Sequence, residues 1–196
     1  NTCAYLCDLY VGSYSSTATS CYDGSDGTAT VLVPNSLDTF LTLANTFLWS
    51  HDANETSNTA TALAAGTYTV TSSDAVSGCS ITDTVVVSAT AEILITVSVQ
   101  PTLFGLSSGS IDATVSGGSA PYTYLWTTPY SLAFTDSIED ISALASDVYK
   151  IEATDTNGCT GTWEGYLEEV TVSGCMDTTA CNFNPSANQM DSSACI

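Results

Sequence analysis

The sequence predicts an all-β fold built from tandem β-sandwiches, with a small disulfide-rich unit at the C-terminal end. Three observations predict it. Short segments alternate β-branched with polar residues, clusters of turn residues separate those segments, and one order of motifs occurs twice along the chain. A repeated motif order indicates two copies of one structural unit.

Six segments have the period-two alternation of strands that bury one face. Between them stand clusters of Gly, Asn, Asp, Ser and Pro, such as residues 23–27 and 116–121, which favour turns. No long segment has a helical period. The predicted strands are residues 28–33, 67–71, 81–88, 93–99, 111–115 and 149–153.

Each copy contains a mid-copy tryptophan and a later tyrosine, Trp49 and Tyr68 in the first and Trp126 and Tyr149 in the second. We expect all four side chains to lie in a core. The tyrosines resemble the corner tyrosine of immunoglobulin-like folds, whose hydroxyl ties down a turn. The predicted units are therefore an N-terminal segment with a first immunoglobulin-like repeat, a second such repeat, and a Cys-rich tail: residues 1–90, 91–173 and 174–196.

The charge of the chain excludes several kinds of partner. The 196 residues include 21 acidic residues and one basic residue, Lys150, for a net charge of −20. Binding to nucleic acid or to anionic lipid requires clustered Lys and Arg. No apolar run is long enough to span a membrane. Since only 11% of residues are charged, we expect a surface made mainly of Ser, Thr, Asn and Gly.

Eight cysteines indicate an oxidising compartment. The chain has no Cys-x-x-Cys pair and one histidine, so disulfides are favoured over a zinc site. We expect an extracellular or cell-surface protein. The chain begins without Met or a signal peptide, and we expect a mature or trimmed form.

Four segments combine Gly, Asp, aromatic residues and Cys in a specific order: Cys21 to Val31, Leu63 to Val70, Ser116 to Trp126 and Thr154 to Cys159. Together they resemble the SprB-type repeat of large surface adhesins in gliding Gram-negative bacteria, over most of residues 12–172. The tail is similar to a short Cys/Asn/Asp-rich module of secreted proteins in those bacteria. The resemblance implies immunoglobulin-like sandwiches, an outer-surface location, type IX secretion, and a role in adhesion, gliding motility or filament building.

The resemblance also implies a disulfide between Cys21 and Cys79, because the two cysteines of the family repeat bracket one domain. In the second copy Leu103 stands where the first cysteine should be, which leaves Cys159 without its usual partner. The tail has an odd number of cysteines, Cys175, Cys181 and Cys195, and we expect one of them, with Cys181 as the first candidate, to bridge to Cys159. Cys3 and Cys7 then pair locally or reach another subunit.

Candidate catalytic groups are few. Ser50, His51 and Asp52 are consecutive, and consecutive residues in a strand or turn point apart and cannot form a triad. The carboxylate pairs Asp23/Asp26 and Glu168/Glu169 have no apolar or basic setting that would tune a pKa. The sequence therefore favours a non-enzymatic protein.

Calcium is the one cofactor that the residues suggest. Carboxylate and amide oxygens on turns are typical Ca²⁺ ligands, and the tail is too small for a hydrophobic core of its own. Its candidate ligands are Asp177, Asn182, Asn184 and Asp191; a knot held by disulfides alone is the alternative. A second candidate set is Asp23, Asp26 and Asp74, where turn capping is the alternative.

The resembled bacteria attach O-glycans at short Asp-Ser/Thr motifs, which Thr84, Ser137 and Thr178 match.

The favoured function is a repeat segment of an adhesin or the subunit of an extracellular filament, with other copies or neighbouring repeats as partners and surface glycans as a further possible ligand. Residues 1–20 form either the first strand of their own sandwich or a strand donated to the next subunit.

Two other functions remain open at the level of the sequence. A carbohydrate-binding module of a secreted enzyme would need an aromatic row on one solvent face. An ice-binding protein would need regular Thr ranks, and the two Thr-x-Thr segments, residues 67–69 and 82–84, are too few and too irregular to predict one.

Overall fold

In the computed structural model, residues 13–32, 45–74 and 79–196 are described. The chain divides into two compact units, residues 1–91 (unit 1) and 92–196 (unit 2). Every regular element in the described ranges is a β-strand. None of those residues belongs to a helix that could cross a membrane.

The described part of unit 1 contains two antiparallel three-stranded sheets, with strand orders β1-β2-β4 and β3-β5-β6. Its strands are β1 (Ser13–Thr17), β2 (Gly27–Leu32), β3 (Asn45–Trp49), β4 (Thr59–Leu63), β5 (Gly66–Asp74) and β6 (Ser80–Val87).

Unit 2 repeats this arrangement with a three-stranded sheet, β12-β9-β7, and a four-stranded sheet, β11-β10-β13-β14. Unit 2 also contains two short parallel pairs, β8 with β15 and β16 with β17. The strands are β7 (Leu94–Gln100), β8 (Thr102–Leu103), β9 (Gly109–Ser116), β10 (Thr123–Thr128), β11 (Ser131–Asp136), β12 (Ile141–Leu144), β13 (Asp147–Thr154), β14 (Thr160–Leu167), β15 (Glu169–Val170), β16 (Ser173–Gly174) and β17 (Gln189–Met190).

The predicted fold class is confirmed: two immunoglobulin-like β-sandwiches are followed by a small tail closed by a disulfide. Each of the six segments predicted as strands lies within or largely overlaps an observed strand. The prediction succeeds because strict alternation places one face of each strand in the core and the other in solvent. Strand β13, for example, alternates buried and half-buried residues along its length.

A buried tryptophan fills the core of each unit, as predicted. Trp49 is 1% exposed and Trp126 is 0% exposed. Each indole N–H finds an acceptor, Ser57 O at 2.9 Å for Trp49 and Ile138 O at 3.0 Å for Trp126. Burying the ring contributes its large apolar area, and the hydrogen bond removes the cost of an unsatisfied donor.

The two units share a backbone irregularity. Ala62 and Ala143 have φ angles of 56° and 58°, in the left-handed region that L-residues rarely adopt. Each precedes the leucine that ends its strand, and each pairing shifts register there. The strand opposite supplies a glycine: a Cβ on Gly109 would lie 3.1 Å from Leu144 O and 2.8 Å from a methyl of Leu167. Glycine is required because the strands approach too closely for a side chain.

Both corner tyrosines tie down a turn, as predicted. The Tyr68 hydroxyl donates to Ala64 O at 2.8 Å, and that of Tyr149 donates to Ala145 O at 3.0 Å. Tyr149 is 4% exposed. Tyr68 is half-buried and packs against the core cluster of unit 1.

The difference between the two tyrosines follows from their neighbours. Phe134, on β11, packs edge-on against Tyr149, with ring centroids 5.4 Å apart. The ring against Tyr68 is instead His51, at 5.5 Å, and His51 is itself exposed. A loop imidazole shields Tyr68 less well than a strand phenylalanine shields Tyr149.

We predict that Trp126→Ala destabilises unit 2 by about 3–5 kcal/mol, the usual cost of truncating a fully buried aromatic residue. Hydrogen exchange of the backbone amides of β9, β10 and β13 measures the effect within unit 2. Leu125→Ala on the same strand is the control, because Leu125 is 49% exposed. Equal loss of protection in the two variants would contradict the prediction.

Candidate functional site

The residues that carry the family resemblance in unit 2 converge on one buried carboxylate. Asp155 follows β13 and is 6% exposed. Its Oδ2 accepts the Ser119 N–H at 2.9 Å, and its Oδ1 accepts the N–H groups of Asn157 at 2.8 Å and Cys159 at 2.9 Å. One side chain therefore joins the Gly-Gly turn before β10 to the Asn-Gly turn after β13.

Burial by itself would raise the pKa of Asp155. The backbone N–H donors from Ser119, Cys159 and Asn157 outweigh that effect, and the pKa is lowered below its ordinary value. The carboxylate is thus held ionised by amides rather than by a cation. A group with this setting fixes loops; it has no feature that would prepare it as a general acid or base.

The Gly-Gly turn needs both glycines. Gly117 and Gly118 have φ angles of +80° and +56°, and a Cβ on Gly118 would lie 2.8 Å from Asp155 Oδ2. The Tyr122 hydroxyl donates to Gly117 O and closes the turn. These contacts give the Ser116 to Trp126 and Thr154 to Cys159 segments a structural role.

Unit 1 carries the counterpart of this site at Asp74, which is 4% exposed. The Asp74 N–H donates to Cys79 O at 2.9 Å, the same contact that the Asp155 N–H makes with Cys159 O at 2.9 Å. Residues 33–44, between β2 and β3, lie outside the described residues.

Four of the groups considered for catalysis accept hydrogen bonds from backbone N–H groups. The Ser50 hydroxyl accepts the Thr69 N–H at 3.0 Å, and Asp52 Oδ1 accepts the Asn54 N–H at 2.8 Å. Asp26 Oδ1 accepts the Ser20 N–H at 2.9 Å, and the Ser20 side chain and backbone lower the pKa of Asp26. Glu169 accepts the Gly105 N–H at 2.7 Å. These contacts give each group a local structural partner.

Five cysteines of the described residues are disulfide-bonded: Cys21, Cys79, Cys159, Cys175 and Cys195. Cys175 and Cys195 bond to each other and close the tail. The pairing of Cys21 with Cys79 stays a prediction, and Cys3 and Cys7 lie outside the described residues.

Cys181 is a free, exposed cysteine, which corrects the prediction that it bridges to Cys159. Its own N–H donates to Ile196 O at 3.1 Å. That bond holds Cys181 against the C-terminal end of the tail, inside the ring that Cys175 and Cys195 close. Counting cysteines along the sequence gave no signal for this arrangement.

The tail repeats one capped turn three times, beginning at Asp177, Asn184 and Asp191. In each turn the Oδ1 atom accepts the N–H two residues later, at 2.8, 3.0 and 3.0 Å. Thr179 and Ser193 add hydroxyl donors and lower the pKa of Asp177 and Asp191. Turns of this kind order a short chain without a hydrophobic core.

One asparagine fastens the tail to the rest of unit 2. Asn188 Oδ1 accepts the Val172 N–H at 2.6 Å, and its Nδ2 donates to Val170 O at 3.0 Å. Its amide group therefore pairs with the backbone of residues 170–172 as a neighbouring strand would. No local pattern in the sequence indicates this role.

The calcium hypothesis places Asp177, Asn182, Asn184 and Asp191 around one ion. Asn182 Oδ1 accepts the Ile196 N–H at 3.0 Å, so all four side chains have an oxygen engaged with the backbone of the tail. Within the described ranges, no group of three or more His, Cys, Asp or Glu side chains is placed to hold a metal ion. Calcium binding stays a prediction. The same holds for the second set, in which Asp74 is buried while Asp23 and Asp26 are exposed.

The three residues predicted to carry O-glycans, Thr84, Ser137 and Thr178, are exposed. Thr84 lies on the outward side of β6, Ser137 follows β11, and Thr178 lies in the first capped turn of the tail. Each is accessible to an enzyme, and glycosylation stays a prediction.

The outward side of the sheet β3-β5-β6 brings together the Thr-x-Thr segments that are separate in the sequence. Alternation along β5 and β6 directs Thr and Ser side chains to one side, and antiparallel pairing sets Thr69 opposite Thr84 and Thr71 opposite Thr82. We name this surface the hydroxyl face. Its members are Thr46, Leu48, Ser50, Thr67, Thr69, Thr71, Ser73, Ser80, Thr82, Thr84 and Val86.

We predict that Asp155→Asn destabilises unit 2 at neutral pH. We also expect the stability of the variant to depend less on pH in the acidic range. Because the pKa of Asp155 is lowered by folding, its stabilising effect is complete above about pH 4, the ordinary value for Asp, and is lost as the pH falls through the lowered pKa. Hydrogen exchange of β13 and β14 between pH 6 and pH 2, about the range in which carboxylates titrate, measures this. Exposed Asp112 on β9 is the control for charge removal, and an Asp155→Asn profile identical to that of Asp112→Asn would contradict the prediction.

We predict that iodoacetamide alkylates Cys181 in the native protein and spares Cys159 and Cys175. The reason is that Cys181 is free and exposed while the other two are disulfide-bonded. Peptide mass mapping before and after reduction in denaturant gives the result, the denatured sample serving as the control. A native Cys181 that resists alkylation would show that it is bonded.

Comparison with solved structures shows the fold. The three N-terminal domains of the highly immunogenic outer capsid protein (Hoc) of bacteriophage RB49 match with a TM-score of 0.52 at 18% identity, covering 83% of this chain and 64% of that one. A C-terminal fragment of intimin, in complex with the intimin-binding domain of the translocated intimin receptor, matches with a TM-score of 0.38 at 16% identity, covering 81% and 64%.

The N-terminal eight immunoglobulin domains of Down syndrome cell adhesion molecule (DSCAM) match with a TM-score of 0.42 at 14% identity, covering 78% of this chain and 23% of that one. The chain thus spans less than two thirds of the length of each of these structures. No curated protein matches its sequence.

Comparison with protein families gives a match in unit 2. The SprB repeat matches residues 95–130, from β7 to the end of the turn after β10. This range includes the Gly-Gly turn that Asp155 fixes and the core residue Trp126. Unit 1 repeats the same sandwich, tryptophan, corner tyrosine and buried aspartate. The chain thus contains a stretch in unit 2 that is similar to the SprB repeat, together with a Cys/Asn/Asp-rich tail closed by the disulfide between Cys175 and Cys195.

Proposed function

We propose that the chain is a secreted, non-enzymatic structural protein of the cell surface, either a repeat segment of an adhesin or the subunit of an extracellular filament. The observation that supports it is that acidic side chains bind the backbone of neighbouring turns. The buried carboxylate of Asp155 and the capping carboxylates of the tail are all bound to neighbouring backbone N–H groups, which stiffens the turns. Such units transmit force and display a surface.

Three further observations favour an extracellular structural role. Disulfide-bonded cysteines are typical of proteins in oxidising compartments. Immunoglobulin-like units in tandem are a common way to build length on cell surfaces. Lys150, the one basic residue, lies within the central strand β13, opposite Glu164 on β14, so the folded chain offers little to proteases that cleave after Lys or Arg.

The partners we propose are proteins, including other copies of the chain. Gliding motility and filament formation are specific forms of this role that the family resemblance suggests. The carbohydrate-binding alternative is less well supported, because the exposed tyrosines of the described residues lie on separate elements and form no row along a single strand. Tyr14 lies on β1, Tyr22 before β2, Tyr130 in the turn between β10 and β11, and Tyr166 on β14.

Coating beads with the chain tests the proposal. We expect beads that carry it to aggregate with one another at physiological salt and not with beads that carry an unrelated acidic protein of similar charge. A glycan array run in parallel tests the alternative. Beads that stay dispersed while the chain binds a defined glycan on the array would favour the carbohydrate-binding module and contradict the proposed function.

A further inference from the structure

The hydroxyl face of unit 1 contains no charged residue. Its members on β3, β5 and β6 are Thr and Ser, apart from two aliphatic side chains, Leu48 at 50% and Val86 at 57% exposure. All charged side chains of unit 1 are acidic, since the only Lys or Arg of the chain is Lys150. The hydroxyl face is therefore a neutral area on a negatively charged unit.

Hydrogen bonds within the sheet engage some of the hydroxyls of the face. The hydroxyls of Thr71 and Thr82 bond to each other at 2.8 Å. The Ser50 hydroxyl accepts the Thr69 N–H at 3.0 Å. A threonine hydroxyl that bonds within the sheet leaves its methyl group available to a neighbour, so the face offers methyl groups and two aliphatic side chains beside fixed hydroxyls.

Unit 2 provides a comparison on the same scaffold. Trp49 pairs with Val70 on β5 as Trp126 pairs with Ile151 on β13, which fixes the correspondence of the two sheets. At the places of Thr71, Thr69 and Thr84, unit 2 carries charged residues, namely Glu152, Lys150 and Glu164. The fold therefore tolerates charge at these positions, and unit 1 has none.

The neighbouring strand edge is less available than the face. The Ser16 hydroxyl of β1 donates to Val86 O of β6 at 2.8 Å, and the Thr19 N–H donates to Ser88 O at 3.1 Å. These bonds occupy backbone acceptors at the open side of β6. An added strand would have to displace them, so contact through the face is favoured over strand addition.

We infer that the hydroxyl face docks against the same face of a second copy of the chain. Two copies of a chain with a charge of −20 repel one another, and like charges that meet across an interface weaken binding strongly. Contact through a neutral face avoids that juxtaposition. The inference rests on the proposed function, because it names the surface through which copies meet.

The size of the face sets the strength of the contact. Three strands about 4.8 Å apart, with a rise of about 3.4 Å per residue over about eight residues, cover roughly 400 Å². A stable interface buries about 800 Å² per partner, so one such contact is weak and transient. Many copies displayed together would bind through many such contacts at once, and the resulting avidity would make the attachment stable.

The test compares two double variants that add the same charge. Thr71→Glu with Thr84→Glu introduces the residues that unit 2 carries at those places. Thr127→Glu with Thr162→Glu adds two carboxylates to the outward side of unit 2 and is the matched control, since Thr71 and Thr127 are both half-buried and Thr84 and Thr162 both exposed. Circular dichroism confirms that each variant is folded.

Sedimentation velocity over a range of concentrations gives the outcome. We expect the wild-type chain to self-associate weakly, and more strongly in about 1 M NaCl, where charge repulsion is screened. Thr71→Glu with Thr84→Glu should weaken association about tenfold or more, because four carboxylates meet in each pair. The control variant should associate as the wild type does.

A second pair of substitutions tests the face without adding charge. Leu48→Thr with Val86→Thr removes the two aliphatic side chains and should also weaken association, whereas Leu125→Thr on unit 2 should not. Since Leu48, Val86 and Leu125 are all about half exposed, these changes leave the cores intact.

Three results would overturn the inference. If the wild type stays monomeric at every salt concentration, or binds insoluble cellulose or chitin as a monomer, the face does not bind a second copy. If both glutamate variants weaken association equally, charge rather than the face is responsible. If the wild type associates and the Thr71→Glu/Thr84→Glu variant is unchanged, copies meet elsewhere, which removes this inference and leaves the proposed function standing.

Discussion

The chain must hold 21 acidic side chains with a single basic residue. Salt bridges are therefore nearly excluded, and backbone N–H groups take the place of cations. Asp140 accepts the Ala113 N–H at 3.0 Å, Asp155 accepts three N–H groups, and Asp177 and Asp191 each cap a turn. An amide that donates to a carboxylate cannot also bond to water, so each of these contacts fixes a segment of backbone. Turn geometry in this protein follows from the shortage of positive charge.

The strands were predictable from the sequence, whereas the contacts that join turns were not. Alternation is a local property, and Trp126, Ile151 and Tyr149 could be assigned to a core because each occupies the buried phase of its segment. The role of Asp155 depends on Ser119, 36 residues away. Nothing near either residue indicates that they meet. The same limit applies to Asn188, whose bonds to Val170 and Val172 depend on the path of the tail.

In the hydroxyl face, strand register determines which threonines become neighbours. Thr67, Thr69 and Thr71 alternate with core residues along β5, and on their own they form a short row. Pairing with β6 sets Thr82 and Thr84 beside that row. In the sequence these segments are separate and too few to indicate a surface; in the sheet they are neighbours. The same limit applies to Cys181, because the number of cysteines in a sequence does not show which one the fold leaves free.

Duplication gives the chain two sandwiches with one internal design and different surfaces. The buried tryptophan, the corner tyrosine and the buried aspartate are present in both units. These residues fix the cores and turns, so outward positions can change without cost to the fold. In unit 2 those positions carry Glu152, Lys150 and Glu164, and in unit 1 they carry threonine. A surface protein that must remain soluble at high density yet contact its neighbours needs both kinds of surface, because charge keeps copies apart except where a neutral face lets them meet.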